Sequence, residues 1–303
     1  MFKNLNLFRI QKNSGLTSAM LIEALKKSQF SECGSSDMKS EGWAPPRPGE
    51  ELVHQVNGEF LLMLCTEKKL LPSSVIKKIA TEKALEIEEQ QGFAMGRKAF
   101  KELKERVADE LVSKAFTTLK KTSVWMSPAS GWLAIDTSSA SRADDVIKHL
   151  LKCLPSLQIE ALRVNEQPVE MMTYWLMSEE DDPVPDFTVD QETELTATNQ
   201  SKARLRLSKE SIDSSDVKKH LALGKKCTKM ALTWNSKISF MLASTLQISK
   251  LKALDVLNDP GESKKDEAER FDSDFAMMTG EVTQLLGSLV TAFGGFEKLA
   301  KAA

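Results

Sequence analysis

The fold turns on the stretch Thr228-Lys229-Met230-Ala231-Leu232-Thr233-Trp234-Asn235-Ser236-Lys237-Ile238-Ser239-Phe240-Met241-Leu242. Met230, Leu232 and Trp234 alternate with Lys229, Ala231 and Thr233, the period-two pattern of a strand with one buried face. Asn235-Ser236 turns the chain, and Ile238, Phe240 and Leu242 resume the alternation. This is the signature of a β-hairpin, and hairpins build antiparallel sheet. A second hairpin is predicted over 124–136, where Trp125 and Trp132 flank the turn residues Ser127-Pro128-Ala129-Ser130-Gly131.

Outward from these hairpins, strands and helices alternate. Residues 5–10, 59–65, 158–163 and 204–207 read as strands. Leu21, Ala24 and Leu25 share one helical face. Pro72-Ser73-Ser74 opens a further helix with Ile76, Ile79, Ala80, Lys83 and Ile87 at helical spacing, which Gly92 interrupts. Another helix is predicted from about Arg97 to Lys114, one over 144–154, and two more near 266–276 and 279–302. The run from Gly42 to Gly49, with Pro45, Pro46 and Pro48, is expected to break structure, because proline fixes φ and removes a donor. The fold class is α+β with mainly antiparallel sheet.

At 303 residues the chain has room for several compact units or one elongated, multi-lobed protomer. The expected organisation is an N-terminal α+β region over 1–175 with a basic helical lobe near 72–121. An acidic loop or linker follows over 176–200, then a C-terminal α+β region over 201–303. An apolar fraction of 41% with 28% charged residues is that of an ordinary soluble protein, and no apolar run approaches bilayer-spanning length. Residues 1–12 lack the pattern of a secretory signal. Cys33, Cys65, Cys153 and Cys227 lie far apart without metal-ligand spacing, so free thiols in a reducing cytoplasm are expected, with neither metal nor cofactor.

The net charge of −2 disfavours a globally basic nucleic-acid coat, yet charge is strongly segregated along the chain. Residues 179–194 hold eight acids and no cation. Lys202, Arg204, Arg206, Lys209, Lys218, Lys219, Lys225, Lys226 and Lys229 follow, opposed by few acids nearby. An earlier basic stretch includes Arg97, Lys98, Lys101, Lys104 and Lys114. On its helix, Phe100, Leu103, Val107 and Leu111 form an apolar stripe, and Arg97, Lys101 and Lys104 form a cationic stripe beside it. The plain alternative is an exposed helix balanced by Glu102, Glu105 and Asp109. No base-reading motif accompanies either cluster, which favours phosphate contact.

Catalytic signatures are missing from the sequence. Gly224-Lys225-Lys226 is the nearest approach to a phosphate loop, but Lys219 stands where the first glycine is needed and Cys227 follows the lysines. His54, His149 and His220 have no partner at metal-ligand or nucleophile-base spacing. Asp272/Asp274 or Asp181/Asp182 could contribute to a metal-dependent nuclease, although acidic pairs are usually solvated faces.

Several blocks resemble the RdgC family of recombination-associated proteins. They are Met1-Phe2-Lys3-Asn4-Leu5, the stretch 30–46 with Gly42-Trp43-Ala44-Pro45-Pro46, Leu71-Pro72-Ser73-Ser74-Val75-Ile76-Lys77, Lys114-Ala115-Phe116, 131–140, 228–234 and Arg270-Phe271-Asp272-Ser273-Asp274-Phe275. The resemblance implies a homodimer closed into a ring around double-stranded DNA, with single-stranded DNA as a further ligand. It also implies little sequence preference, nucleoid association, and restraint of a RecA-type recombinase by competition for DNA. It gives Phe116 the role of closing one subunit contact. Lys209 and Glu210 fall in a loop that hooks across subunits, where the family carries lysine-glutamine, so Glu210 departs from the pattern. Lys77, Arg97, Lys114 and Lys226 lie where the family turns cations inward. With Lys98, Lys101, Lys104, Lys218, Lys219, Lys225 and Lys229 from the two clusters, these form the candidate DNA-binding set. The expectation is a non-enzyme; the rivals are a metal-dependent nuclease and a regulator that contacts the recombinase directly.

Overall fold

The computed structural model describes residues 2–12, 15–178, 184–198, 202–208, 215–254 and 266–297. Its elements run β1 (Leu5–Ile10), α1 (Ser18–Lys26), β2 (Lys39–Ala44), β3 (Val53–Val56), β4 (Glu59–Lys69), α2 (Ser73–Gln91) and α3 (Arg97–Val112). These lead into β5 (Thr117–Ser127), β6 (Trp132–Asp136), α4 (Ala140–Cys153), β7 (Ile159–Ala161), α5 (Pro168–Met177), β8 (Phe187–Ala197) and β9 (Arg204–Ser208). The chain continues through α6 (Ser215–Ala222), β10 (Lys225–Trp234), β11 (Ile238–Ala243), β12 (Ile248–Ala253) and α7 (Glu267–Ala292).

The strands form one sheet in the order β2-β4-β5-β6-β1-β12-β11-β10-β8-β9, with β3 on β4 and β7 on β1. Every pairing between these strands is antiparallel. Both predicted hairpins are present: Trp234 pairs with Ile238 across one turn, and Ser127 with Trp132 across the other.

Burial differs between the two halves of this sheet. In the N-terminal half, alternate residues enter opposite cores. Phe60, Leu62, Leu64, Val124, Met126, Leu133 and Ile135 pack with Leu21 and Leu25 of α1 and Val146 and Leu150 of α4. Their neighbours Leu61, Trp125, Trp132 and Ala134 join the other core, which holds α5 and α7. These strands are therefore apolar at consecutive positions. In the C-terminal half, Met230, Leu232, Trp234, Phe240 and Leu242 pack in the core that includes Phe275, Val282, Leu286 and Leu289 of α7, while Lys229, Ala231 and Thr233 stay partly exposed. That one-sided burial is the alternation visible in the sequence.

Three expectations change. Gly42, Trp43 and Ala44 do not break structure: they end β2, and Trp43 is fully buried. The residue before a proline is pushed toward extended backbone, which suits a strand end. Gly42 is required there by close approach, since a Cβ would lie 2.5 Å from the Phe30 backbone.

The tail forms one helix where two were expected. Thr279, at the supposed gap, donates its hydroxyl to the Phe275 carbonyl at 2.8 Å, and Phe275, Met278 and Val282 continue one buried stripe.

The acidic stretch expected as loop or linker is a strand from Phe187 to Ala197; residues 179–183 lie outside the described residues. Its acids are compensated across the sheet. Glu194 meets Lys229, Glu192 meets Lys250 at 2.8 Å, and Asp190 accepts from Thr233 at 2.8 Å.

Candidate nucleic-acid interface

β4 and β5 pair along their whole length, from Phe60–Met126 to Lys69–Thr117, with α2 and α3 inserted at the far end of this ribbon. Residues 117–121 of β5 are all exposed, while their partners on β4 are flanked by β2, and Thr66, Glu67 and Lys69 are buried. The inserted helices pack on each other and form an arm at this end of the sheet. Gly92, with φ 76°, closes α2 and donates its N–H to the Glu88 carbonyl at 2.8 Å. A left-handed cap of this kind suits glycine because it has no Cβ. Ala80 and Ala84 of α2 meet Leu103 and Val107 of α3, with Phe100 and Leu111 around them. The predicted apolar stripe of the second helix is thus the arm's own small core.

The cations of the arm are largely unpaired. Lys77, Arg97, Lys98 and Lys114 are exposed and Lys104 is half-buried. None of these five has an ion pair among the described residues. Lys101 is 3.8 Å from Glu105, a long contact between two exposed side chains that contributes little. Between residues 72 and 121 the sequence holds eleven cations and eight acids, a local excess of positive charge in a chain of net −2.

The C-terminal cluster is compensated to a degree its local sequence hides. Lys226 pairs with Glu170 of α5 at 2.6 Å and Lys229 with Glu194 of β8 at 3.2 Å. Lys219 reaches Asp216 at 3.0 Å, and Lys225 lies 3.2 Å from the His220 ring nitrogen. Lys218 is exposed on α6 and is also engaged. Glu170 and Glu194 come from elements distant in sequence, so proximity along the chain could not reveal them, whereas Asp216 lies one turn before Lys219. The arm therefore carries more uncompensated charge than the C-terminal cluster.

Phe116 is 85% exposed, immediately before β5. Its carbonyl accepts from Leu70 N–H at 2.7 Å, and Leu70 is itself 53% exposed. Nothing in the local sequence marks Leu70 as exposed, since a leucine between a strand and a helix start is ordinary. Lys209 and Glu210 lie outside the described residues.

Each of the three histidines lies against neighbouring polar side chains. His54 lies 3.2 Å from Asp272 and 3.4 Å from Glu50, packed edge-on against Phe271. His149 meets Glu41 at 3.2 Å. Burial favours protonation of the Glu41 carboxyl, but hydrogen bonds from Lys39, Thr66 and Arg142 outweigh it and bring the group down to about 2. Cys65, Cys153 and Cys227 are buried free thiols and Cys33 is half-buried. Burial pushes the Cys227 thiol up to about 12. Among the described residues, no three His, Cys, Asp or Glu side chains form a group that could hold a metal ion, and no helix is long and apolar enough to cross a membrane.

The molecule is thus an α+β protein built on one antiparallel sheet, with an inserted helical arm whose cations are largely unpaired. The chain belongs to the RdgC family, whose model, described as "Putative exonuclease, RdgC", matches residues 1–296. A relative from Janthinobacterium sp. (strain Marseille), named recombination-associated protein RdgC, is 45% identical over 296 residues, covering 97% of this chain and 98% of the relative. Proteins of the same name from Herminiimonas arsenicoxydans and Cupriavidus necator are each 44% identical, over 295 and 299 residues, with at least 97% of this chain and 98% of each relative covered.

Proposed function

We propose that this protein binds double-stranded DNA without sequence preference, as a homodimer closed into a ring, and so limits access of a RecA-type recombinase. The observation that carries this reading is the arm: Lys77, Arg97, Lys98, Lys104 and Lys114 have no ion pairs among the described residues, and Phe116 is exposed beside them in the chain. Unpaired cations are free to displace counterions from DNA, the main source of sequence-independent affinity. An exposed aromatic is a good anchor for a subunit contact. A ring holds its ligand topologically, so modest phosphate contacts give long residence, and only the inner wall has to be basic. Single-stranded DNA can use the same cations. The proposed location is the cytoplasm, at the nucleoid.

We read the activity as stoichiometric, with no catalytic step, cofactor or metal. The family description names an exonuclease, which keeps a metal-dependent nuclease as the rival. Against it, Asp272 faces His54 at 3.2 Å and Arg47 at 3.9 Å. A regulator that binds the recombinase directly is the other rival. Pull-down from nuclease-treated extract separates it from competition on DNA. The primary test is duplex binding against salt. A steep linear fall of log affinity with log salt, equal across sequences, supports the reading, and preference for one sequence contradicts it.

A further inference from the structure

Remote from the arm in the sequence, residues 293–297 fold back after α7 to build a cationic cleft. Gly294 and Gly295 take left-handed backbone, with φ 76° and 91°. Asn165 holds the turn: its side chain donates to the Gly294 carbonyl at 2.6 Å, and its N–H donates to the Gly295 carbonyl at 3.0 Å. Glu297 N–H then donates to the Arg163 carbonyl at 3.2 Å, and Phe296 bridges to Val164. The reversal sets the Phe296 ring over Arg9, whose guanidinium lies 4.7 Å from that ring and 4.2 Å from the Trp132 ring. On the other side, Gly131 keeps the slot open. Its φ is 74°, and a Cβ there would meet Arg9 Nη2 at 2.6 Å.

Arg9 is half-buried and has no carboxylate partner among the described residues. Nη2 donates to the Ser130 carbonyl at 2.9 Å, while Nη1 is buried without any acceptor. Burial pushes the guanidinium below its ordinary value, and no acid offsets this. Two aromatic faces supply part of the compensation. A fork with unspent donors matches a planar or tetrahedral oxyanion. Arg9 lines a cleft of about 510 Å³ together with Lys12, Arg163, Glu160, Glu297 and Phe296. Lys12 is exposed and has no ion pair among the described residues, and Arg163 meets Glu297 only at 3.9 Å, the limit of pairing. The volume falls within the range of small-molecule sites.

We propose that this cleft binds a nucleoside phosphate, either free or as the end of a DNA strand. Arg9, Lys12 and Arg163 take the phosphate. Phe296, 41% exposed, packs against the base, and Glu160 and Glu297 accept from sugar or base donors. The site uses none of the arm cations, so it stands or falls independently of duplex encirclement.

The test is calorimetric titration of the full chain with deoxyadenosine monophosphate. Arg9→Gln, Phe296→Leu and the double variant Lys12→Ala/Arg163→Ala are compared with wild type, each checked for folding by its thermal transition. Saturable binding that weakens about tenfold or more in the double variant, whose side chains lie outside the core, supports the site. Competition by an oligonucleotide with a terminal phosphate identifies a strand end as the ligand; its absence identifies the free nucleotide. Either result upholds the cleft. No binding at millimolar nucleotide, or equal binding by wild type and the double variant, overturns it. Arm variants should leave this titration unchanged, which separates its failure from failure of the duplex reading.

Discussion

Leu70 and Phe116 face each other across the two exits of the β4–β5 ribbon, joined by a 2.7 Å hydrogen bond from the Leu70 N–H to the Phe116 carbonyl. The bond fixes the backbone where the arm begins, and both side chains remain in solvent. Phe116→Ala removes little of the protein's own packing, since Phe116 is 85% exposed. The thermal transition should stay within a few degrees of wild type. Self-association, read by sedimentation velocity over a concentration series, should weaken by about 2 kcal/mol. Early unfolding or unchanged association would show that Phe116 closes no subunit contact.

The uneven pairing of the two basic clusters predicts unequal salt responses. Each phosphate contact contributes about 0.9 to the slope of log affinity against log salt on duplex DNA. Arg97→Gln/Lys98→Gln should therefore flatten the slope by up to about 1.8, equally on unrelated sequences. Lys226→Gln should change it less, because Lys226 is already held by Glu170 at 2.6 Å. Fluorescence anisotropy at several salt concentrations reads both variants, and a larger effect from Lys226 would reverse the assignment.

The Glu41 cluster predicts an acid-sensitive stability. Its carboxyl, at about 2 in the folded chain, lies below the usual unfolded value near 4.3. A depressed carboxyl contributes stability that is complete above the unfolded value and is lost as pH falls toward 2. The magnitude is about 3 kcal/mol. Glu41→Gln should thus be markedly less stable than wild type in urea at pH near 7, and the gap should narrow at pH near 3. A constant gap would mean that Glu41 acts by packing alone.

Purified protein should neither cut plasmid DNA with magnesium nor hydrolyse ATP. Asp272 Oδ1 lies 3.2 Å from His54 Nε2, which brings α7 against β3. Asp272→Asn/Asp274→Asn should then reduce thermal stability without altering DNA binding. Magnesium-dependent cleavage that co-purifies with the protein and vanishes in the double variant would overturn the non-enzymatic reading.

Legibility in the sequence followed the number of buried faces. The Met230-Leu232-Trp234 alternation was plain because one face of that strand is buried and the other partly solvated. β8 was hidden because Phe187, Val189, Thr193 and Leu195 alternate with acids whose cations sit on neighbouring strands. β2 was hidden by its prolines, which lie just past its end. The arm helices and the cations on them were readable, since Gly92, Pro72 and the apolar stripe are local signals. Whether a lysine is free was not readable. Lys226 and Glu170 are 56 residues apart, and only folding brings them together.

Retention on closed circular plasmid, compared with the same plasmid linearised, tests the central claim most directly. Protein loaded at low salt is challenged with high salt, which strips contacts to phosphate but leaves a topological link in place. Encirclement predicts that wild type stays on the circle and runs off the linear form, and that Phe116→Ala escapes from both. Equal loss from circle and line by wild type would contradict a closed ring.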